Sequence, residues 1–222
     1  FNITTNAESN MERTAADALY TLDLFKGTGI DSNGLPIYDL DKIPTRQEAI
    51  TMLVRLLGKE NEAKEGTWST PFTDVDNWAK PYVGYAYNHK LTSGTSKNTF
   101  GGRETISASQ YITFILRTLG YSSEKDFAWD SAWTLSDTLG ITNREYSATS
   151  NFTRGDIVKI SYNTLFASLK DTSSTLLSTL LSNGAVSLEN IITAGLENAL
   201  NHQEKILSAA DISKVCSPAV FY

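Results

Sequence analysis

Apolar residues recur at helical spacing in separate stretches of the chain, each stretch opened by a small hydroxyl residue. Ile50, Leu53, Val54 and Leu57 fall at i, i+3, i+4 and i+7, and Ile112, Ile115, Leu116 and Leu119 repeat that order. Each series predicts an amphipathic helix with one face in a core. Laid on itself, the chain aligns Pro44 to Gly58 with Ile106 to Gly120 at a constant offset of 62 residues, pairing Thr45 with Ser107, Arg55 with Arg117 and Gly58 with Gly120. A third copy runs from Phe152 to Phe166, where Thr153, Arg154 and Asp156 repeat Thr45, Arg46 and Glu48. A repeat of this length has to be recognised before anything else is read from the chain.

The residues opening each copy predict a reciprocal N-terminal cap. Thr45 with Glu48, Ser107 with Gln110, and Thr153 with Asp156 stand three apart, the spacing at which hydroxyl and carboxyl or amide satisfy free N–H groups of a first helical turn. Asp156 is shorter than Glu or Gln, so its cap is expected to be the weakest. Gly58 and Gly120 stand where helix C-termini favour glycine. Upstream of each capped helix a second helical stretch is expected. Tyr20 to Thr28 aligns with Tyr87 to Thr95 at an offset of 67, and the looser third copy runs from Trp133 through Leu139 and Ile141. Polar loops join the two helices of each unit, and Asp31-Ser32-Asn33-Gly34 in the first loop reads as a turn, since its glycine placement does not suit a calcium loop.

These units resemble the S-layer homology repeat, known by an FxDVxxxW opening, a central GxxxxxxF loop and an (I/P)TRxE helix start. The second unit carries Phe72-Thr73-Asp74-Val75-Asp76-Asn77-Trp78, then Gly94 and Phe100. The first and third carry Thr45-Arg46-Gln47-Glu48 and Thr153-Arg154-Gly155-Asp156. The second unit has Ala108 and Gln110 in place of the family's Arg and Glu. Met11 stands where the first unit's Trp would fall, and Phe127-Ala128-Trp129-Asp130 is a degenerate third opening. The resemblance implies an all-α fold of three helix-loop-helix units, at residues 10–60, 72–122 and 126–168, in a pseudo-threefold arrangement around a central helix bundle. It further implies a bacterial surface protein bound to secondary cell-wall polysaccharide or a peptidoglycan-linked glycan, often through a ketal-pyruvate carboxylate.

Candidate ligand residues follow from that resemblance: Arg46, Arg154, Asp74, Gly94, Trp78 and Trp129. An arginine just after a helix cap suits a carboxylate, because a planar guanidinium forks onto it beside the partly positive helix start. A solvated arginine or a local ion pair stays open for both. The indoles offer flat surface to a sugar, and core packing stays open for them. Arg55 and Arg117 recur in register but are read as surface or inter-unit contacts, outside the site. Asp74 and Asp76 are read as helix caps rather than an acid/base pair.

Composition narrows the classes. With 222 residues and a net charge of -6, the chain suits a compact globular module and argues against general affinity for nucleic acid or anionic membrane. No apolar run approaches the roughly 20 residues that span a bilayer, so no membrane insertion is expected. The chain opens without a basic stretch and apolar segment, so any secretion signal is expected to have been removed. One cysteine, Cys216, and two separated histidines, His89 and His202, supply neither a disulfide nor a metal set, and no cofactor motif occurs. The expected role is therefore non-catalytic, and two readings stay open: wall anchoring through a glycan, or a helical scaffold for proteins, including further domains of the same protein. From Asp171 onward the repeat ends, and residues 171–222 form a helical extension. A short helix is expected to stop at Asn183-Gly184, and Leu188, Ile191, Ile192, Gly195, Leu196, Ala199 and Leu200 predict one longer helix; residues 171–210 are expected either to dock on the repeats, compensating for the missing opening of the first unit, or to connect towards further domains.

Overall fold

A computed structural model describes residues 3–200, so His202, Cys216 and the end of the C-terminal extension lie outside the described residues. Helix α1 spans Ile3–Thr21, followed by a two-stranded antiparallel hairpin, β1 Gly29–Ile30 and β2 Pro36–Ile37. Then come α2 Arg46–Leu56, α3 Glu60–Glu65, α4 Lys80–Asn88 and α5 Ala108–Thr118. A 3₁₀ turn, Trp129–Ser131, leads into α6 Trp133–Thr138, and α7 Arg154–Thr164, α8 Leu176–Ser182 and α9 Leu188–Thr193 complete the order. The fold is mostly helical. The first polar loop differs from expectation in holding the hairpin, whose turn forms because the Asp31 carboxylate accepts the amides of Asn33 and Leu35 at 2.8 and 2.9 Å.

Reciprocal caps open α2, α5 and α7. Glu48 accepts the Thr45 amide at 2.7 Å, Gln110 that of Ser107 at 3.2 Å and Asp156 that of Thr153 at 2.8 Å. The Asp156 cap closes as tightly as the Glu48 one because its second oxygen is fixed by the Tyr146 hydroxyl at 2.8 Å. Gly58 and Gly120, at φ of +64° and +95°, end the first two capped helices in the left-handed region. The helices preceding the caps end alike. Asp23, Lys90 and Gly140 all have positive φ, and the following Leu24, Leu91 and Ile141 are buried, their amides reaching back to Leu19, Ala86 and Ser136 carbonyls.

The capped helices occupy the middle of the molecule. α2, α5 and α7 pack on one another, α2 also on α4, α5 on α6, and α7 on α1. Burial is accordingly wider than one amphipathic stripe. Of α2 only Glu48 and Arg55 escape the buried set, and α5 is buried from Ala108 to Leu116 except at Gln110. The polar residues caught inside are satisfied: Thr51 donates to the Gln47 carbonyl at 2.8 Å, and the Tyr111 and Ser161 hydroxyls meet at 2.7 Å between α5 and α7. Short extended stretches lie against the helix starts. Amides of Arg46 and Gln47 bond to Glu104 and Gly102 carbonyls, and those of Arg154 and Gly155 to Lys42 and Leu40, all at 2.7 to 3.1 Å.

The C-terminal segment corrects one expectation. The predicted long helix breaks: α9 stops at Thr193 and Gly195 takes φ +71°, the Leu196 amide turning back to Ile191. Ile191 and Leu196 are buried, whereas Leu188 and Ile192 are exposed, so the apolar stripe divides at that turn. Docking on the N-terminal region does occur within residues 171–200. α9 packs on α1, and a Cβ placed on Gly58 would stand 2.5 Å from the Ala185 Cβ.

Candidate functional site

Arg46 is held by three features of the chain that are far apart in sequence. The cap at Thr45 fixes the start of α2, the Glu104 carbonyl takes the Arg46 amide, and the side chain runs between the rings of Phe100 and Phe114, 5.0 and 4.9 Å from its guanidinium. Only 6% of the residue is exposed. Its Nη2 donates to the Ser93 carbonyl at 3.0 Å, and its buried Nε has no acceptor. Among the described residues it has no carboxylate within ion-pair distance. Burial, then the nearby Arg117 guanidinium, push its pKa down to about 10, Glu104 opposing them. The group stays charged at neutral pH while lacking a counter-ion.

A cavity of about 350 Å³ opens on this group. Its wall includes Arg46, Ser93 and Gly94 of the polar loop, Gln110, Thr113, Phe114 and Arg117 of α5, and Trp129 of the 3₁₀ turn. Arg117 is partly buried, donates to the Ser123 hydroxyl at 2.9 Å, and is also lowered by burial, with Glu124 opposing. Trp129 is 63% exposed, its carbonyl accepting from the Ser109 hydroxyl and, at 3.4 Å, from Thr113. Gly94 has a steric role: a Cβ there would stand 2.5 Å from Phe72, the Ser96 carbonyl and the Thr99 carbonyl. A buried and a partly buried cation, a close-packed backbone edge and an exposed indole thus face one space. That arrangement receives an anion joined to a flat, partly apolar body.

The structure brings Arg46, Gly94 and Trp129 together and adds Arg117, which sequence reasoning had set outside the site. A signal for it existed. Continuing the 62-residue offset past Gly58 and Gly120 puts Glu60 opposite Ser122. Glu60 pairs with Arg55 at 3.1 Å, whereas the corresponding Arg117 donates to the Ser123 hydroxyl and is in no ion pair among the described residues.

Arg154 stands elsewhere. Its Nε donates to the Tyr38 carbonyl at 2.9 Å and its Nη1 approaches the Met52 sulfur at 3.5 Å, over the Phe25 ring. Burial lowers its pKa, while Glu48 and Asp39 act against that and supply compensating negative charge.

Asp74 and Trp78 also lie apart from the Arg46 cavity. Instead of capping a helix, Asp74 accepts the Phe100 and Gly101 amides at 2.8 and 2.7 Å and so anchors the loop that carries Phe100. Burial opposes its ionisation, and these backbone donors outweigh it, keeping the carboxyl below its usual range. Asp76 takes Arg103 at 2.6 Å, Gln47 at 2.7 Å and the Trp78 indole, so Trp78, half exposed, is tied to that carboxylate. Neither acid is poised to carry a proton at neutral pH. Replacing Asp74 with alanine is expected to cost about 1–2 kcal/mol by stranding two loop amides. Thermal unfolding checks this, with Asp74→Asn expected to recover part of the loss. Among the described residues no group of three His, Cys, Asp or Glu could hold a metal ion, and no helix is long and apolar enough to cross a membrane.

The described residues form a mostly helical fold with a cationic cleft at Arg46. Residues 71–111, which include Gly94, the Phe100 loop and the Ser107 cap, match the S-layer homology domain. The chain is similar to the Middle cell wall protein of Brevibacillus brevis, 30% identical over 167 residues, 74% of this chain and 15% of that protein. It is 30% identical over 127 residues to the Surface layer protein of Brevibacillus choshinensis, 56% of this chain and 11% of that one. An Endoglucanase of Bacillus sp. (strain KSM-635) is 29% identical over 108 residues, again 11% of its own length. The chain therefore spans a small part of each of these relatives.

Proposed function

We propose that this chain is a non-catalytic anchoring module of an exported bacterial surface protein, which binds an acidic secondary cell-wall polysaccharide with one sugar carboxylate seated between Arg46 and Arg117. The observation carrying this reading is two guanidiniums on one cavity, the buried Arg46 and the partly buried Arg117, neither in an ion pair among the described residues. Much of the cost of removing them from water is already met by the fold, so an entering carboxylate meets donors that need no reorganisation. A pyruvate ketal suits the cavity, since it puts a carboxylate on a pyranose ring whose C–H face can lie on Trp129. Relatives named for the cell wall and surface layer, and an endoglucanase sharing only a short stretch, fit an attachment role separable from catalysis.

In this reading the units at 10–60, 72–122 and 126–168 form a pseudo-threefold ring around α2, α5 and α7. Support comes from the cyclic packing of α2 on α4, α5 on α6 and α7 on α1. The three grooves are unequal. That of Arg46 is open and cationic, that of Arg154 is compensated by Glu48 and Asp39, and the third has Ala108 where the others have arginine. Co-sedimentation with purified sacculi tests the proposal. Intact walls should retain the chain, and walls stripped of polysaccharide by acid or freed of pyruvate should release it. Equal retention on stripped walls would overturn the glycan reading in favour of a protein scaffold.

A further inference from the structure

The second residue of each capped helix meets a distant segment, and the chemistry of that meeting differs from copy to copy. The alignment of the caps puts Gln47, Ser109 and Gly155 at this place. Gln47 spends both ends of its amide on Asp76, donating to the carboxylate at 2.7 Å and accepting the Asp76 amide at 3.2 Å. Gly155 leaves room for the Glu12 carboxylate, which a Cβ at that position would strike. Ser109 is buried, and its single hydroxyl donates to the Trp129 carbonyl.

The first two of these contacts leave the neighbouring indoles in different states. Asp76, held by Gln47, also takes the Trp78 indole, which stands apart from the Arg46 cavity. Ser109 takes hold of backbone alone, so the Trp129 indole stays exposed on the cavity wall. The turn Trp129–Ser131 is three residues long and has no side-chain cap of its own, so its placement depends on what α5 offers it. Thr113, one helical turn beyond Ser109 on the same face of α5, reaches the same carbonyl at 3.4 Å. Thr113 also lines the cavity, and Ser109 does not.

We propose that Ser109 is a positioning residue for the Arg46 cavity: its hydroxyl fixes the turn that presents the Trp129 indole, and so sets the aromatic wall of the site without touching what enters it. The proposal rests on the reading of that cavity as the seat of a carboxylate-bearing sugar. Without the hydroxyl the turn keeps only the longer bond from Thr113, and the freedom it gains has to be given up again when a ring settles on the indole.

A double-mutant cycle read by isothermal titration tests it, with a methyl hexopyranoside bearing a 4,6-pyruvate ketal as the probe. Ser109→Ala is expected to weaken binding about three- to tenfold, the range for one lost hydrogen bond. Trp129→Ala, which keeps the carbonyl and removes the indole, should weaken it at least as much. Adding Ser109→Ala to Trp129→Ala should then cost nothing further, whereas a general loosening of the fold would cost the same with or without the indole. An unchanged affinity in Ser109→Ala, or an equal loss in the Trp129→Ala background, would overturn the positioning role while leaving the reading of the cavity in place. Failure of the intact chain to bind the probe would overturn the cavity reading, and this role with it.

Discussion

Arg46→Met is expected to weaken binding to sacculi by roughly 30- to 150-fold, the equivalent of about 2–3 kcal/mol for a charge-assisted contact to a carboxylate. Its thermal midpoint should be unchanged or slightly raised. The two effects separate because the fold itself disfavours the charge. Arg46 is buried between Phe100 and Phe114, repelled by Arg117, and its Nε has no acceptor. Methionine fills the space of the side-chain stem and removes the buried charge. Alanine is the poorer test, since it would leave a void between the two rings and mix a packing loss with the binding loss.

The pH dependence has a definite sign. Burial and the nearby Arg117 push the Arg46 pKa down to about 10, below its ordinary value, so its charged form is disfavoured by folding and stability rises as pH climbs past that point. Carboxylate binding needs the charged form and is lost over the same rise. Arg154→Met provides the contrast: it should leave wall retention within about twofold while lowering stability, because the Tyr38 carbonyl loses its donor. Sacculus retention of Arg46→Met equal to that of the unaltered chain would remove the cavity from the mechanism.

What the chain reveals by itself follows the range of each interaction. The caps at Thr45, Ser107 and Thr153 were legible because both partners lie within one helical turn, and the left-handed glycines at 58 and 120 for the same reason. The hairpin and the break at Gly195 were missed because two-residue strands and a single glycine hardly disturb the surrounding periodicity. The near-total burial of α2 and α5 was hidden by their polar residues, Gln47, Thr51, Ser109 and Thr113, whose partners become visible only when the helices are packed together. Arg46 and Trp129 could be nominated from motifs, but their meeting with Arg117 depends on how three distant segments pack. Asp74 was read as a ligand residue and a helix cap, and its hold on the Phe100 and Gly101 amides was not legible because they lie 26 and 27 residues along the chain.

Glu60→Gln should produce the largest loss of stability of any single charge change, about 2 kcal/mol in thermal or denaturant unfolding. The Glu60 side chain is 13% exposed and gathers Arg55 at 3.1 Å, Lys64 at 2.9 Å, Lys26 at 2.5 Å and the Tyr82 hydroxyl at 2.7 Å. It thereby joins α3 to α2, α4 and the segment after α1. Breaking a fully buried pair costs about 3–5 kcal/mol, and the figure is lower here because the two lysines are about half exposed and remain hydrated. Burial alone would raise the Glu60 pKa; the donors from Lys26, Lys64 and Tyr82 and the Arg55 charge outweigh it and hold the carboxyl well below its ordinary value of 4.5. Its contribution is therefore complete above about pH 4.5 and disappears as pH falls through the lowered folded value. The Gln variant should show a shallower acid destabilisation than the unaltered chain, the two curves converging at low pH. Parallel curves would mean that Glu60 is not the ionised hub described.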